Sequence, residues 1–327
     1  MLFFLQVALA AEVSGPWAGG DYVDLAVNGA AVHAVWLKAG ELLYSELPAA
    51  PIVVARAVES GDGGQIRPQL VLADGRPVVM YTTAEGLFRA SSTEGWAPRR
   101  VSPEGARGPL LGDIAAWQKE VHVAGLVQVA GVTQVFVDGK VVFTGEADGV
   151  CMCCKPAILA VDGGWRVDFR DAEGLRREVR SLFSTDAVTW KDEGAVTGGG
   201  WSPGGCPADG PDRSRAALLV SDGRSGRRQV YNVDHTGERA VPSADPAAQM
   251  LQPRSVPDGS LVAWVEAVPG ESRLVVRDGP GTPTVVARAP GRLEPGNPVA
   301  VGTEVWIPWQ GDRAHVERWE SQAPPGW

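Results

Sequence analysis

Apolar residues in this chain fall in short runs separated by turn residues, and no stretch of about fifteen residues carries a capped amphipathic helical rhythm. One phrase recurs: a polar residue or proline, an apolar run, a turn, then a second apolar run ending near an aromatic. It is read in Asp24-Leu-Ala-Val-Asn-Gly to Val35-Trp36 and in Arg67-Pro-Gln-Leu-Val-Leu-Ala-Asp-Gly to Met80-Tyr81. It returns in Lys155-Pro-Ala-Ile-Leu-Ala-Val-Asp-Gly to Asp168-Phe169, and further copies start at Asp113, Pro211, Gln252 and Asn297. The anchors Trp36, Tyr81, Phe169, Trp264 and Trp309 stand near multiples of about 44 residues, inside the range of propeller repeats. Two more alternating runs follow each anchor, so each unit holds four short strands, which is a propeller blade. The pattern predicts an all-β chain folded as a β-propeller of four-stranded blades. Seven units fit between Asp21 and Trp319, with six blades as the alternative. The last unit offers three strands, so residues near Glu12–Trp17 are expected to close the ring as its fourth. A two-sheet sandwich is the structural competitor, but it rarely extends to so many evenly spaced units.

Composition agrees with many strands and many turns: 44% of the 327 residues are hydrophobic, with 41 glycines and 25 prolines scattered along the chain. Residues 12–327 are read as one propeller domain. Residues 1–11 form an apolar run ending in small residues, which reads as a signal-like segment cleaved after Ala10 or Ala11. The run is short and lacks a basic start, so a buried first strand or a true start upstream is the competing reading. A periplasmic or secreted location is the expectation, and no later segment is long enough to cross a membrane. The net charge of −9 and the lack of a basic run argue against nucleic acid as a partner. A monomer is expected.

All four cysteines fall at two places, Cys151, Cys153 and Cys154 before unit four and Cys206 before unit five. Neighbouring blades would gather them on one propeller face. Three chemistries stay open. An even count in an exported chain favours disulfides, with Cys206 bridged to one of the other three. Clustered thiolates beside Met152 also suit copper or zinc, with His122 and His235 as further donors, although the spacing matches no zinc-ribbon pattern. The third is a redox thiol. Around the cluster stand Lys155, Arg170, Asp171, Asp209, Asp212 and Arg213. With Arg67 and Arg254, both near strand starts, they are candidates to clasp an anionic ligand or to pair with one another across blades.

Ser184-Thr-Asp-Ala-Val-Thr-Trp190 resembles the Asp-box turn of sialidase-type propellers, and Ser91-Ser-Thr-Glu-Gly-Trp96 resembles it more weakly. The series Cys151-Met-Cys-Cys-Lys-Pro156, Phe169-Arg-Asp171 and Gly205-Cys-Pro-Ala-Asp-Gly-Pro211 resembles exported bacterial proteins of the sialidase-like, BNR-repeat group. The resemblance implies a propeller, six-bladed in sialidases, with the Asp-box as a structural staple. An active sialidase would hold its substrate carboxylate with three arginines and use a tyrosine nucleophile partnered by glutamate. Arg67-Pro68 shares its repeat position with Lys155-Pro156 and Gln252-Pro253, so it reads as part of the repeat. None of Tyr22, Tyr44, Tyr81 and Tyr231 stands in a nucleophile motif. No catalytic residue is therefore assigned. The expected function is non-catalytic binding of a small molecule, glycan or protein at a propeller face; a glycoside hydrolase of exo-sialidase type is the alternative.

Overall fold

The computed structural model describes residues 11–320 apart from 62–64, 109, 146–149, 153, 172–177, 198–211, 214–216, 224–226, 235 and 257–258, with backbone alone at Arg213 and Asp222. The signal-like segment thus lies outside the described residues except for Ala11, and so do Cys153, Cys206, Asp209 and His235. Seven antiparallel sheets are arranged as the blades of a β-propeller. Their innermost strands are Asp21–Asn28, Gln69–Ala73, Gly112–Trp117, Ala157–Val161, Asp212–Arg213, Gln249–Ser255 and Val299–Val301, numbered here as blades 1 to 7. No helix among the described residues is long and apolar enough to cross a membrane.

Hairpin chemistry accounts for much of the local structure. Asp74-Gly75 and Asp138-Gly139 both have positive φ, at 51° and 74° and at 47° and 82°. That is the pairing a two-residue turn between twisted strands requires. Apolar residues from adjacent sheets pack between blades, and among the described residues a cluster fills each of the seven junctions between blades. The five aromatic anchors lie on the second strand of their blades and are buried. Blades 3 and 5 have no aromatic there. In blade 3 the anchor position is Gly125, and its partner on the third strand, Phe136, fills the space instead. In blade 5 Val220 faces Tyr231 in the same way. The sequence repeat loses its aromatic in these two units because the ring has moved to the facing strand.

The ring closes as expected, though by a shorter stretch. Ala11–Glu12 pairs with Ala314–Glu320, the outer strand of blade 7, with Ala11 opposite Arg318 and Glu12 opposite Glu317. Val13 N donates to Val316 O at 2.7 Å. His315 stacks on Trp309 at 4.0 Å between centroids, and its Nδ1 lies 2.9 Å from Glu12 Oε1. Trp17 lies beyond the pairing, in a turn, and is buried in the cluster between blades 7 and 1.

A Cβ on Gly125 would stand 2.3 Å from the Phe136 ring. Gly125→Ala is expected to lower stability by about 1–3 kcal/mol through overpacking. Adding Phe136→Leu should restore part of that loss, measured as the urea midpoint at unchanged m-value.

Candidate functional site

The central channel is built from one register position. In each innermost strand, one residue pairs with the residue just before the anchor: Asp24 with Val35, Gln69 with Met80, Asp113 with Ala124. Ala157 pairs with Asp168, Asp212 with Leu219 and Arg254 with Ala263. Asn297 continues the series in blade 7, two residues before the pairing of Val299 with Trp306. Side chains at this position reach the next blade. Asp24 Oδ2 accepts from Leu70 N at 2.8 Å, Asp113 Oδ2 from Ile158 N at 2.9 Å and Asp212 Oδ2 from Ser255 N at 2.9 Å. Gln69 makes a corresponding bond by donating to Gly112 O at 3.0 Å. Two residues earlier in the even blades stand Arg67 and Lys155. Lys155 Nζ meets Asp113 Oδ1 at 2.7 Å, and Arg67 donates to Pro295 O and to Asn297 Oδ1.

This ring is the floor of a cavity of about 360 Å³. Asp113, Asp212, Ser255 and Asn297 line the floor, and the walls carry Leu25–Val27, Leu70–Leu72, Ile114–Ala116, Ile158–Ala160 and Val299. Trp117 and Ala300, both exposed, line the mouth at the face where the innermost strands end. Burial governs the electrostatics. It lowers the Lys155 ammonium, with Asp113 opposing, and brings Arg67 down to about 10, assisted by the like charge of Arg254. Burial also raises Asp24 to about 6, against the pull of Arg67 and of backbone amides.

Of the residues singled out from sequence, the structure places Arg67, Lys155, Asp212 and Arg254 together in or behind this floor. Arg67, Lys155 and Arg254 are almost fully buried rather than displayed on a face. Arg170, also fully buried, lies elsewhere: its Nη2 donates to Ser221 O at 2.8 Å, and Ser221 Oγ donates to Met250 O, a strut across blades 4, 5 and 6. Asp171 pairs with Arg180 at 3.1 Å. Cys151 and Cys154 are buried before blade 4 with their sulfurs 3.6 Å apart, longer than the about 2.05 Å of a disulfide. Among the described residues no group of three or more His, Cys, Asp or Glu side chains is arranged to hold a metal ion. His122 is engaged by Asp138 at 2.6 Å and packs edge-on against Trp165. In the Ser184–Trp190 turn Asp186 accepts from Val188 N and Thr189 N at 2.8 and 2.7 Å, which holds its carboxyl at about 2, and Trp190 packs on the core.

Sequence reasoning missed Asp24, Asp113, Glu294 and Asn297. The signal was present, since Asp24, Asp113 and Asn297 each open a copy of the repeat. Glu294 lies beside Tyr22, whose hydroxyl is pushed up to about 12 by burial and then by the glutamate charge. Asp24 Oδ1, Arg67 Nε, Arg254 Nε and Glu294 Oε2 are buried without a hydrogen-bond partner among the described residues. All four belong to blades 1, 2, 6 and 7, one continuous arc of the ring.

No family model matches the chain, and no curated protein does. Solved structures match by shape. A catalytically inactive virginiamycin B lyase from Staphylococcus aureus, crystallised with quinupristin, is 11% identical over 96% of this chain and 99% of its own, with a TM-score of 0.58. A puromycin-hydrolyzing peptidase from Mycobacterium tuberculosis is 16% identical over 93% of this chain and 51% of its own, at 0.61. A prolyl endopeptidase is 13% identical, covering 94% and 51%, at 0.53. The chain spans about half the length of these two peptidases. At such identities the likeness shows the propeller fold alone.

The raised Asp24 carboxyl has a consequence for stability. Its folded value of about 6 lies above the ordinary 3.8, so the folded state holds the proton more tightly. The associated stabilisation is complete below pH 4 and is lost as pH rises through 6, on the order of 3 kcal/mol. Asp24→Asn, which cannot titrate, should therefore gain on the wild type between pH 4 and pH 7, read as the difference in urea midpoint at each pH.

Proposed function

We propose that this chain is a non-catalytic, exported binding protein that takes a small molecule, or the narrow end of a larger ligand, into its central channel. The observation that carries this reading is the cavity of about 360 Å³, apolar along its walls and polar at its floor. Cavities of that size with a few convergent polar groups are the usual form of small-ligand sites. The apolar run at residues 1–11 supports export.

Glycoside hydrolysis is less well supported. A carboxylate clamp needs guanidinium ends turned to the substrate, whereas those of Arg67, Arg170 and Arg254 are bonded to main-chain carbonyls. Tyr22 does stand beside a glutamate, but its hydroxyl is harder to ionise than a free tyrosine, the reverse of an activated nucleophile. For the cysteines we retain two chemistries, disulfide bonding and copper or zinc binding. Intact mass with and without reductant separates them, since a bridge adds two mass units on reduction and a retained metal departs with a chelator.

Ala116 is half-buried and lines the channel wall. Ala116→Trp should narrow the channel and weaken binding of a neutral fluorescent probe such as N-phenyl-1-naphthylamine at least about tenfold. The thermal midpoint should move by only a few degrees. Unchanged probe binding in a folded variant would exclude the channel as the site, and an unchanged absence of turnover on a fluorogenic sialoside is expected throughout.

A further inference from the structure

We infer that Cys151 and Cys154 form one disulfide that opens and closes by exchange with small thiols and disulfides; this deepens the disulfide reading of the cysteines and rests on it. The two residues stand at C-x-x-C spacing in the segment that enters blade 4, and the Cys151 thiol donates to Cys154 Sγ at 3.6 Å. A bond needs about 2.05 Å, so closure asks the two sulfurs to approach by about 1.5 Å between them, within reach of small χ1 adjustments. The segment is already held at both ends. Val150 bridges Asp171 and Cys151 N donates to Arg170 O at 3.0 Å, which ties the first cysteine to the second strand of blade 4. Lys155, next to the second cysteine, donates from its N to Gln65 Oε1 and from its Nζ to Asp113 Oδ1, both at 2.7 Å. Between them Met152 packs against the cluster shared by blades 3 and 4. Thiols brought together in this way have little freedom left to lose on joining.

Two features make this pair a site of exchange rather than a staple. The bond would close a ring of four residues, and so short a loop removes little entropy from the unfolded chain. A link from Cys206 would span more than fifty residues and stabilise far more. Access is one-sided as well, since Cys151 is 6% exposed and Cys154 is 0% exposed. Cys151 therefore meets the reagent first and Cys154 resolves. In oxidation the Cys151 thiol gives up its proton, attacks one sulfur of a small disulfide and expels the other as a thiol. Cys154 then attacks Cys151 Sγ, which forms the internal bond and releases the second thiol. Two protons pass from the protein to the departing thiols; the protein loses two electrons and the small disulfide gains them. Reduction runs the same steps backwards, with two small thiols consumed and one small disulfide formed.

The test is peptide mapping of the full chain, equilibrated with oxidised glutathione and alkylated with iodoacetamide in denaturant. Cys151 and Cys154 are expected unalkylated within one peptide, about two mass units below its reduced form, with fragment ions placing Cys153 outside the bond. In Cys153→Ser/Cys206→Ser, where the pair alone remains, no thiol should be alkylated before reduction and both should be alkylated after it. Dithiothreitol without denaturant should open the bond and oxidised glutathione should close it again. The thermal midpoint should differ by only a few degrees between the two states. A bond from Cys151 or Cys154 to Cys153 or Cys206 would overturn the inference and leave the disulfide reading standing. So would a bond between Cys151 and Cys154 that resists dithiothreitol until the chain is unfolded. Four alkylated thiols, with or without a metal released by chelator, would remove both. Because the wild-type map decides the pairing, the inference stays testable even if the double variant does not fold.

Discussion

The innermost strand of every blade is a sheet edge, and its outward amides have no ladder partner. In most folds such an edge faces water or another chain; here seven of them face one another around a narrow channel. The chain meets this constraint with side chains from the neighbouring blade. Asp24, Asp113 and Asp212 each accept from a backbone amide of the next innermost strand, and Gln69 donates to a carbonyl of the next. Each bond does two things at once. It satisfies a buried polar group that would otherwise cost about 1–3 kcal/mol, and it fixes one blade against its neighbour. The polar floor of the cavity is thus a structural necessity before it is a binding surface.

Carboxylates buried for that purpose require counter-charge, which explains why Arg67, Lys155 and Arg254 are inside the molecule. Acids fall on blades 1, 3 and 5 and the basic residues on blades 2, 4 and 6. A ring of seven cannot alternate. Continued once more, the pattern would put an acid in blade 7 beside Asp24, and the chain has Asn297 there instead. The mismatch is visible in the hydrogen bonding. Asp113, Lys155 and Asp212 are bonded, while Asp24 Oδ1, Arg67 Nε, Arg254 Nε and Glu294 Oε2, unpartnered among the described residues, lie on the arc of blades 6, 7, 1 and 2. The odd blade count, set by how many sheets pack around the axis, thereby decides where the polar ring is incomplete.

Much of the fold was legible because the repeat is written in both hydrophobicity and turn chemistry. Seven units, four strands each and closure by the first residues all follow from it, and only the extent of the closing strand differed. Where the aromatic anchor vanished, at Gly125 and Val220, the cause was a cross-strand exchange with Phe136 and Tyr231 that no single-strand pattern can display. The site was legible only in part. Arg67 and Arg254 stood out as charges near strand starts, and Lys155 and Asp212 as part of the polar shell around the cysteines, and the four do converge. Asp24 and Asp113 were passed over because an aspartate before an apolar run reads equally well as a turn residue. Their meaning depends on the next blade, some forty residues away, and that relation is tertiary. Arg170 illustrates the opposite case: its neighbour Asp171 suggested an exposed pair, yet the chain turns Arg170 inward to Ser221 and Asp171 outward to Arg180.

The same bonding that stabilises the ring also ties up its charged groups. A catalytic arginine or lysine must keep its charged end available to the reacting group, whereas these are held by the main chain or by Asp113 from behind. Asp113 and Asp212 line the cavity, each fixed by an amide of the next blade that it already serves. Such a surface can discriminate by charge and by fit without moving, because its carboxylates are oriented before any ligand arrives and lose little freedom when one does. A polar floor held rigid beneath apolar walls is the form that the proposed binding role asks for, and the constraint that closed the propeller is what put polar groups there.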